Sequence, residues 1–494
     1  MKPHLLKNAA FHTTPVLLGA LLAACGGKDA RPDTPTETAC VPLQLERDVN
    51  LDGFRTDRYA WRDAHCRPRS ASLVRNDAPD PADWTGGYVR RYTYDVAGTT
   101  RVCDGSDAVP GWGIVASHLR ASEEWGNWTE KIQGTGRTVF EGRHHALHEF
   151  RWPLTLDGHV VDVTVHYLFA TGRSHPLYAI THDASRAPPD AIHADVRSPY
   201  GDIRFDGAGI ADITGVGWGD RYRFTTLSAE GVLSRANGWD YRESNVVPYT
   251  RMFINPANAE MGVVQTQTWE QKPAGGYWNY ANWGQVDEDG PLPEDWNWTY
   301  QLNQYQLPEQ GPTRSHRMAW GSNFGALGHR EYPRYGDDGG LSGYPYQSYS
   351  VFMVLGTKDS DPVFSQVNEV ERWQHVRFTA SEGRVLERGP GGVGRDDLVA
   401  FDVPGYNPVY ATWEAEAAAN NRAVLHFDVG TRWVRHPVLV LRGYTASTPP
   451  ARVTLDGEAL TADVDYFASV DAAGKALWLT LARTVDRTVS LHIE

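Results

Sequence analysis

The stretch HVVDVTVHYLFATG, residues 159–172, alternates apolar and polar side chains and ends in Thr and Gly. Alternation with a period of two places every second side chain on the same face of an extended chain, which is typical of an antiparallel strand. Similar stretches recur as DRYRFTTL (220–227), EMGVVQTQTW (260–269), SYSVFMVLG (348–356) and HPVLVLRGY (436–444). Gly, Pro, Asn and Asp separate them. The sequence therefore predicts an all-β protein.

Helical periodicity is scarce, and the two candidate segments are VFSQVNEVERW (363–373) and TWEAEAAANNRA (412–423). A chain of 494 residues exceeds what one hydrophobic core usually serves. We predict a large antiparallel β-sandwich, or supersandwich, at residues 111–432. A small N-terminal β module at 46–110 precedes it, and a C-terminal β-sandwich at 433–494 follows it.

The N-terminus has the layout of a secretory signal. Lys2 and Lys7 give a positive start, and a short apolar run ends in Leu22, Ala23, Ala24 and Cys25. These four residues resemble the lipobox of bacterial lipoproteins. The resemblance implies that residues 1–25 comprise a signal peptide and a lipidated Cys25, that 26–45 are a linker, and that the protein is exported and held at a membrane, periplasmic or at the cell surface, by lipid only. The alternative is an ordinary signal peptide cut near Ala24.

Charge and cysteine content exclude several functions. The net charge of −14 opposes binding to nucleic acid, which rests on cationic patches. Apart from Cys25, the cysteines are Cys40, Cys66 and Cys103, so at most one disulfide forms among these three. The rest of the chain, which has no cysteine, cannot use a thiolate nucleophile or a cysteine-based zinc site.

A candidate calcium loop follows the linker. Its oxygen-bearing residues stand at alternate positions beside Gly53, and the candidate ligands are Asp48, Asn50, Asp52 and Asp57. Tyr59 occupies the position where an EF-hand loop has glutamate. The spacing predicts a structural calcium ion, and the alternative is a turn in which Asp48 and Asn50 cap backbone amides.

An aromatic stretch at 269–305 suits carbohydrate binding, because flat rings stack on sugars while neighbouring amides hydrogen-bond to hydroxyls. The predicted substrate-binding residues are Trp269, Trp278, Trp283, Trp298 and Tyr305, together with Arg197 and Trp218. The alternative is that about half of the rings in this stretch only pack beneath a long loop.

Histidines concentrate in GRHHALHEFRW (142–152) and continue at His166, His175 and His182. On a strand, His145 and Glu149 would share one face, and His144 and His148 the other. Imidazole suits proton transfer near neutral pH. Zinc binding by three such residues is the less favoured reading, and histidines satisfied by backbone carbonyls are a further alternative.

Two cleavage chemistries stay open. Hydrolysis of a glycosidic bond needs a pair of carboxyl groups, for which the candidates are Glu149, Asp220 and Glu260. Elimination beside a uronic acid needs a base and a cation, for which the candidates are His175, His182 and Tyr200, with Arg197.

The strand-rich body resembles the β-supersandwich proteins of bacterial polysaccharide use, although no diagnostic motif transfers a catalytic residue. The resemblance implies an exported lipoprotein enzyme that cleaves a polysaccharide, as a glycoside hydrolase or a polysaccharide lyase. The alternative is a non-catalytic surface lipoprotein that binds a polysaccharide or oligosaccharide.

Overall fold

The computed structural model describes only part of the chain. The described residues are 40–75, 87–104, 116–121, 124–125, 134–189, 191, 195–204, 215–219, 225–228, 247, 249–266, 317–321, 325–326, 345–389, 401 and 403–494. They belong to one compact unit, which spans residues 35–494.

Strands dominate the described residues, which confirms the predicted all-β class. The first five strands are β1 Gln44–Leu51, β2 Phe54–Arg62, β3 Pro68–Val74, β4 Val89–Val96 and β5 Thr99–Asp104. The next fourteen are β6 Ala116–Ala121, β7 Glu124–Trp125, β8 Thr135–Glu141, β9 His145–Leu156, β10 His159–Ala170, β11 Leu177–Asp183, β12 Asp195–Arg204, β13 Gly215–Gly219, β14 Thr225–Ser228, β15 Tyr249–Ile254, β16 Ala259–Gln265, β17 Arg317–Gly321, β18 Gly325–Ala326 and β19 Tyr346–Thr357.

The remaining elements lie in the last third of the chain. An α-helix, α1, spans Pro362–Trp373, and short 3-10 helices span Lys358–Ser360 and Ala419–Asn421. The last strands are β20 Arg377–Glu382, β21 Arg384–Val385, β22 Tyr406–Asn407, β23 Thr412–Glu416, β24 Ala423–Asp428, β25 Val434–Arg435, β26 Val438–Arg442, β27 Val453–Leu455, β28 Glu458–Ala459, β29 Tyr466–Asp471, β30 Ala476–Leu481, β31 Thr484–Val485 and β32 Val489–Ile493.

These strands form several sheets. An N-terminal sheet has the order β1-β2-β3-β4-β5, and a nine-stranded central sheet has the order β14-β13-β15-β16-β19-β11-β10-β9-β8. A third sheet has the order β17-β12-β6-β7, with β18 beside β12. The C-terminal sandwich contains the sheets β20-β24-β32-β27-β28 and β21-β23-β26-β30-β29, with β22 beside β23, and the small pair β25-β31. Among these strand pairs β23 and β26 run parallel and the others antiparallel.

The two helix candidates have different outcomes. Residues 363–373 form α1, with Pro362 at its start and Val363, Val367, Val370 and Trp373 buried on one face. The prediction for 412–423 is wrong, because this segment contains β23, the 3-10 turn and the first residue of β24. Residues 412–415 are buried, and β23 lies between β21 and β26 in its sheet. Burial between neighbouring strands outweighs the helix propensity of the alanines here.

The central sheet is covered on both faces. On one face, which we call the N-face, Tyr59 stacks on Phe169 at 4.7 Å between ring centroids, and Tyr167 Oη donates to the carbonyl of Gly87 at 2.9 Å. Gly87 has a φ of +82°, and a Cβ there would lie 2.4 Å from the Phe150 ring, so glycine permits this approach. On the other face, the C-face, Phe140 stacks on Trp478 of the C-terminal sandwich.

Strands from either side of residue 433 belong to the same sheets of the C-terminal sandwich. β24 pairs with β32, and β23 pairs with β26. The sandwich therefore extends from β20 to β32, while the assignment of the whole chain to domains stays a prediction. A disulfide joins Cys40 to Cys66, and Cys103 is buried. No helix in the described ranges is long and apolar enough to cross a membrane.

Candidate functional site

Three rows of side chains run across the C-face. The first is apolar and follows the pairing of β8, β9, β10, β11 and β19. Its members are Phe140, Leu147, Leu168, Leu177 and Phe352. All five are buried in one hydrophobic cluster with the C-terminal sandwich. Burial of this row attaches the central sheet to that sandwich.

The next two rows along the same strands are mostly polar. We call Arg137, Glu149, His166, Ala179 and Ser350 the first polar row. The second polar row consists of Thr135, Arg151, Thr164, Thr181 and Ser348. Thr181 and Ser348 share a hydrogen bond of 2.8 Å, which confirms that their side chains meet on one face. The C-face thus changes from apolar to polar within two residues along each strand.

A chain of three hydrogen-bonded side chains begins in the first polar row. Glu149 Oε2 lies 3.2 Å from His166 Nε2, and His166 Nδ1 lies 3.1 Å from Tyr410 Oη. Arg137 Nε donates to the other carboxylate oxygen at 2.7 Å. We call these residues the Glu149–His166–Tyr410 chain. All three of its members are buried.

Electrostatics fix the Glu149 end of this chain, and the tautomer of His166 sets the other end. Burial raises the pKa of Glu149, but hydrogen bonds from His166 and Arg137 outweigh burial and lower this pKa to about 2. An ionised carboxylate only accepts hydrogen bonds, so His166 Nε2 carries the proton that it shares with Glu149. In the neutral imidazole, Nδ1 is then the acceptor for the Tyr410 hydroxyl. This is the order of groups in which a carboxylate orients an imidazole that activates a hydroxyl.

The loop that carries Tyr410 is held from two sides. Thr266, at the end of β16, donates to the carbonyl of Pro408 at 2.6 Å and accepts from Tyr406 Oη through its own carbonyl at 2.6 Å. Asn407 donates to buried Glu414 at 2.7 Å. These bonds fix the loop against the central sheet, so the Tyr410 hydroxyl is positioned in advance.

A buried ion pair supports the same loop. Arg442 Nε donates to Glu414 Oε2 at 3.1 Å, and its Nη2 donates to Oε1 at 3.2 Å. Burial lowers the pKa of Arg442, but Glu414, with a smaller contribution from Tyr410, raises this pKa above its ordinary value. The positive charge of Arg442 is therefore retained behind the loop.

The histidines of the 142–152 stretch serve mostly as contacts between layers. His145 Nδ1 lies 3.0 Å from Ser469 Oγ, and its Nε2 lies 2.9 Å from Thr480 Oγ1, both in the C-terminal sandwich. His148 faces the opposite way, and its Nδ1 lies 2.9 Å from Tyr59 Oη. Burial lowers the pKa of His148 to about 3, so its ring is neutral. His145 and His148 lie on opposite faces, as predicted. The prediction that His144 shares a face with His148 is wrong, because His144 precedes β9 and its Nε2 lies 2.7 Å from Asp463 Oδ1 of the C-terminal sandwich.

The predicted catalytic histidines, His175 and His182, do not lie beside Glu149. His182 pairs with Val163, on the N-face, whereas Glu149 is on the C-face. Burial lowers its pKa to about 3. His175 lies in the loop between β10 and β11, where burial, followed by the charges of Arg69 and Arg67, holds its pKa well below the ordinary value. Both rings are neutral at physiological pH.

Glu149 and Glu260 do not form an acid and base pair. Glu260 is on β16, four strand spacings from β9, which is about 19 Å of sheet width. Glycosidases need two carboxyl groups roughly 5 to 9.5 Å apart. Glu260 is buried with Arg251 Nε 3.4 Å from its Oε1, and burial raises its pKa to about 8. These two carboxylates are therefore too far apart to act on one glycosidic bond, and hydrolysis that uses Asp220 stays a prediction.

The other candidates lie wholly or partly outside the described residues. Arg197 and Tyr200 belong to β12 of the third sheet, and Trp218 belongs to β13. The structure describes the backbone of these three residues and not their side chains. The candidates that lie outside the described residues altogether are Cys25, Asp220, Trp269, Trp278, Trp283, Trp298 and Tyr305.

Two residues of the predicted calcium loop make ion pairs. Asp48 Oδ1 accepts from Arg55 Nε at 2.5 Å, and Asp52 Oδ2 accepts from Arg91 Nη2 at 3.1 Å. No group of three or more His, Cys, Asp or Glu in the described part of the chain is arranged to hold a metal ion.

The other two residues of this loop hydrogen-bond to backbone amides. Asn50 Oδ1 accepts from Gly53 N at 2.9 Å, and Asp57 Oδ1 accepts from Asp48 N at 3.0 Å. The contact of Asn50 matches the capped turn of the alternative interpretation, but the second cap is Asp57 and not Asp48, whose carboxylate pairs with Arg55. Calcium binding by the loop stays a prediction.

Sequence reasoning missed Tyr410 and did not select His166. His166 follows Val163 and Val165 in an alternating strand, where its position opposite Glu149 depends on the hairpin register. Tyr410 is 244 residues from His166 in sequence and belongs to a loop without a motif. Only the docking of the C-terminal sandwich brings them together.

Comparisons with known proteins do not assign the chain to a family. No family model and no curated protein matches the chain. Among solved structures, the α-N-acetylgalactosaminidase NagBb from Bifidobacterium bifidum is 11% identical over 57% of this chain and 36% of its own, with a TM-score of 0.31. A protein in glycosyl hydrolase family 38 from Enterococcus faecalis is 9% identical over 94% of this chain and 53% of its own, also with a TM-score of 0.31. The chain thus spans about a third to a half of these proteins.

Proposed function

We propose that this protein is an exported, lipid-anchored enzyme that cleaves a polysaccharide, with Tyr410 as its proton-transferring residue. The observation that carries the proposal is the order of the Glu149–His166–Tyr410 chain, in which an ionised carboxylate orients an imidazole toward a hydroxyl. Such an arrangement moves a proton at a substrate atom without needing a second carboxylate. Exposed Thr135, Arg137 and Arg151 at the β8 and β9 end of the polar rows suit a sugar with polar substituents, and the aromatic stretch at 269–305 contains flat rings suited to stacking.

The test compares two tyrosines in different places. Tyr410→Phe removes the hydroxyl that contacts His166, whereas Tyr444→Phe removes one that donates to the backbone of Thr448 in the C-terminal sandwich. The full chain is incubated with a panel of neutral and acidic polysaccharides, and new reducing ends are counted. We expect turnover to fall by about 10² to 10⁴ in Tyr410→Phe and to persist in Tyr444→Phe.

Each other outcome contradicts the proposal. Equal turnover of the two variants would show that Tyr410 does not act in the reaction. Binding without cleavage across the panel would instead support the alternative of a non-catalytic glycan-binding lipoprotein. Thermal melting of both variants checks that a loss of turnover is not a loss of folding.

The export and the anchor rest on the basic N-terminus and on the lipobox-like residues ending at Cys25. Expression in bacteria with a labelled fatty acid tests them. We expect label on the protein and recovery in the membrane fraction, both lost in Cys25→Ala. Retention of the label in that variant would reject lipidation at this residue.

A further inference from the structure

Two arginines stand at the β8 and β9 end of the polar rows. Arg137 begins the first polar row opposite Glu149, and Arg151 lies in the second polar row, two residues beyond Glu149 on β9. In a ladder of this kind, diagonal neighbours on one face lie about 7 Å apart, within reach of long side chains. The side chain of Arg137 is 60% exposed although its Nε binds Glu149, and Arg151 is exposed.

The charges of the two polar rows are positive on balance. Two guanidinium groups, from Arg137 and Arg151, stand against one carboxylate, from Glu149, and the remaining members are Thr, Ser, Ala and His. The next carboxylate along β10, that of Asp162, faces Arg186 at 3.4 Å. Asp183, paired with Asp162, follows on the same face, so the excess of positive charge is confined to the β8 and β9 end of the rows, beside Glu149.

We infer that the β8 and β9 end of the polar rows binds a uronate residue of an acidic polysaccharide, with Arg137 and Arg151 on the sugar carboxylate. A guanidinium binds a carboxylate through paired N–H groups, and the hydroxyl of exposed Thr135, opposite Arg151, suits a sugar hydroxyl, whereas the other Thr and Ser residues of the rows are buried. Neutral sugars have no charged group that would pair with the two arginines. This inference rests on the proposed function, which it deepens by naming the substrate class and the reaction.

The inferred reaction is an elimination. Pairing of the uronate carboxylate with Arg137 and Arg151 makes the proton on the adjacent C5 more acidic. His166 takes the hydroxyl proton of Tyr410, and the phenolate oxygen removes the proton from C5. The electron pair of that C–H bond forms the C4=C5 double bond while the C4–O bond breaks. Tyr410 then returns the proton to the leaving oxygen, and His166 restores the proton of Tyr410, so no other reactant is consumed.

The experiment measures binding and cleavage separately. Binding of oligogalacturonate, oligomannuronate and neutral galactan and mannan oligosaccharides is measured in the Tyr410→Phe background, so that no turnover interferes. Arg151→Gln is compared with Arg384→Gln, whose arginine is also exposed, at 69%, but lies in the C-terminal sandwich beside Glu416. Cleavage is followed in the Tyr410-containing chains by absorbance of the unsaturated uronate product.

We expect an acidic oligosaccharide to bind more tightly than its neutral counterpart, and Arg151→Gln to weaken that binding about tenfold or more, since hydrogen bonds to charged groups are the strong ones. Arg151→Lys should retain part of the affinity, and Arg384→Gln all of it. Equal affinity for neutral and acidic sugars, no effect of Arg151→Gln, or no binding at all would overturn the inference. Binding that depends on Arg151 but is not followed by cleavage would reject the proposed enzymatic activity and leave the uronate-binding site standing. Cleavage of a neutral sugar that depends on Tyr410 would reject the uronate as substrate and leave the enzymatic activity standing.

Discussion

His148 and Glu149 are neighbours in the chain, yet each connects the central sheet to a different layer. His148 Nδ1 lies 2.9 Å from Tyr59 Oη of the N-terminal sheet, and Glu149 Oε2 lies 3.2 Å from His166 Nε2 on the C-face. The two-residue period of β9 sets this division. One residue is therefore expected to act on stability alone, and the other on stability and on the reaction.

Tyr59→Phe should destabilise the protein without slowing cleavage. The Tyr59 hydroxyl lies 2.8 Å from Thr138 Oγ1 and 2.9 Å from His148 Nδ1, and its removal leaves buried groups without this partner. We expect the free energy of unfolding in urea to fall by about 1 to 3 kcal/mol. Turnover at a temperature where the variant is folded should match that of the unmodified protein. A drop in turnover comparable to that of Tyr410→Phe would contradict the assignment of the Tyr59–His148 contact to stability alone.

Glu149→Gln should remove part of the acid sensitivity of the fold. The pKa of Glu149 falls from an ordinary 4.5 to about 2 in the folded protein, so its contribution to stability is present above pH 4.5 and is lost as pH falls toward 2. Urea unfolding at several pH values should show the advantage of the unmodified protein shrinking across this window. A constant difference between the two proteins from pH 5 to pH 2.5 would count against an ionised Glu149.

Glu260→Gln should change the pH dependence of stability in the opposite direction. Burial raises the pKa of Glu260 from 4.5 to about 8, so the folded state holds a proton that the unfolded state releases between these values. Stability of the unmodified protein should therefore decrease as pH rises from 4.5 to 8. Relative to the Gln variant, the decrease is about 1.4 kcal/mol per pH unit. Glu416→Gln, at an exposed carboxylate of the C-terminal sandwich, is the control for the loss of a carboxylate away from this site.

Calcium binding at the Asp48 loop would stabilise the fold. A cation that binds only the folded state at one hundred times its dissociation constant adds about 2.7 kcal/mol. We expect millimolar calcium to raise the melting temperature, and Asp48→Asn with Asp52→Asn to abolish the rise. An unchanged melting temperature in calcium and in a chelator would favour the turn that Asn50 and Asp57 already cap.

Sequence reasoning succeeded where the signal is local. The alternation of residues 159–172 predicted a strand, and β10 spans His159–Ala170. The same reasoning placed His145 and Glu149 on one face, because side-chain direction depends only on position along the strand. It failed at 412–423, where the alanine-rich pattern favours a helix in isolation. There, burial between neighbouring strands decides the conformation.

The sequence by itself determined the strand-rich class, the single disulfide allowed among Cys40, Cys66 and Cys103, and the face that each side chain of β9 occupies. Only the tertiary structure decided which strands are neighbours, and with them that Glu260 is four strand spacings from Glu149. It also decided that Tyr410 meets His166 across 244 residues of chain. The physical reason is that pairing and docking depend on contacts between distant segments, whose partners no local period can specify.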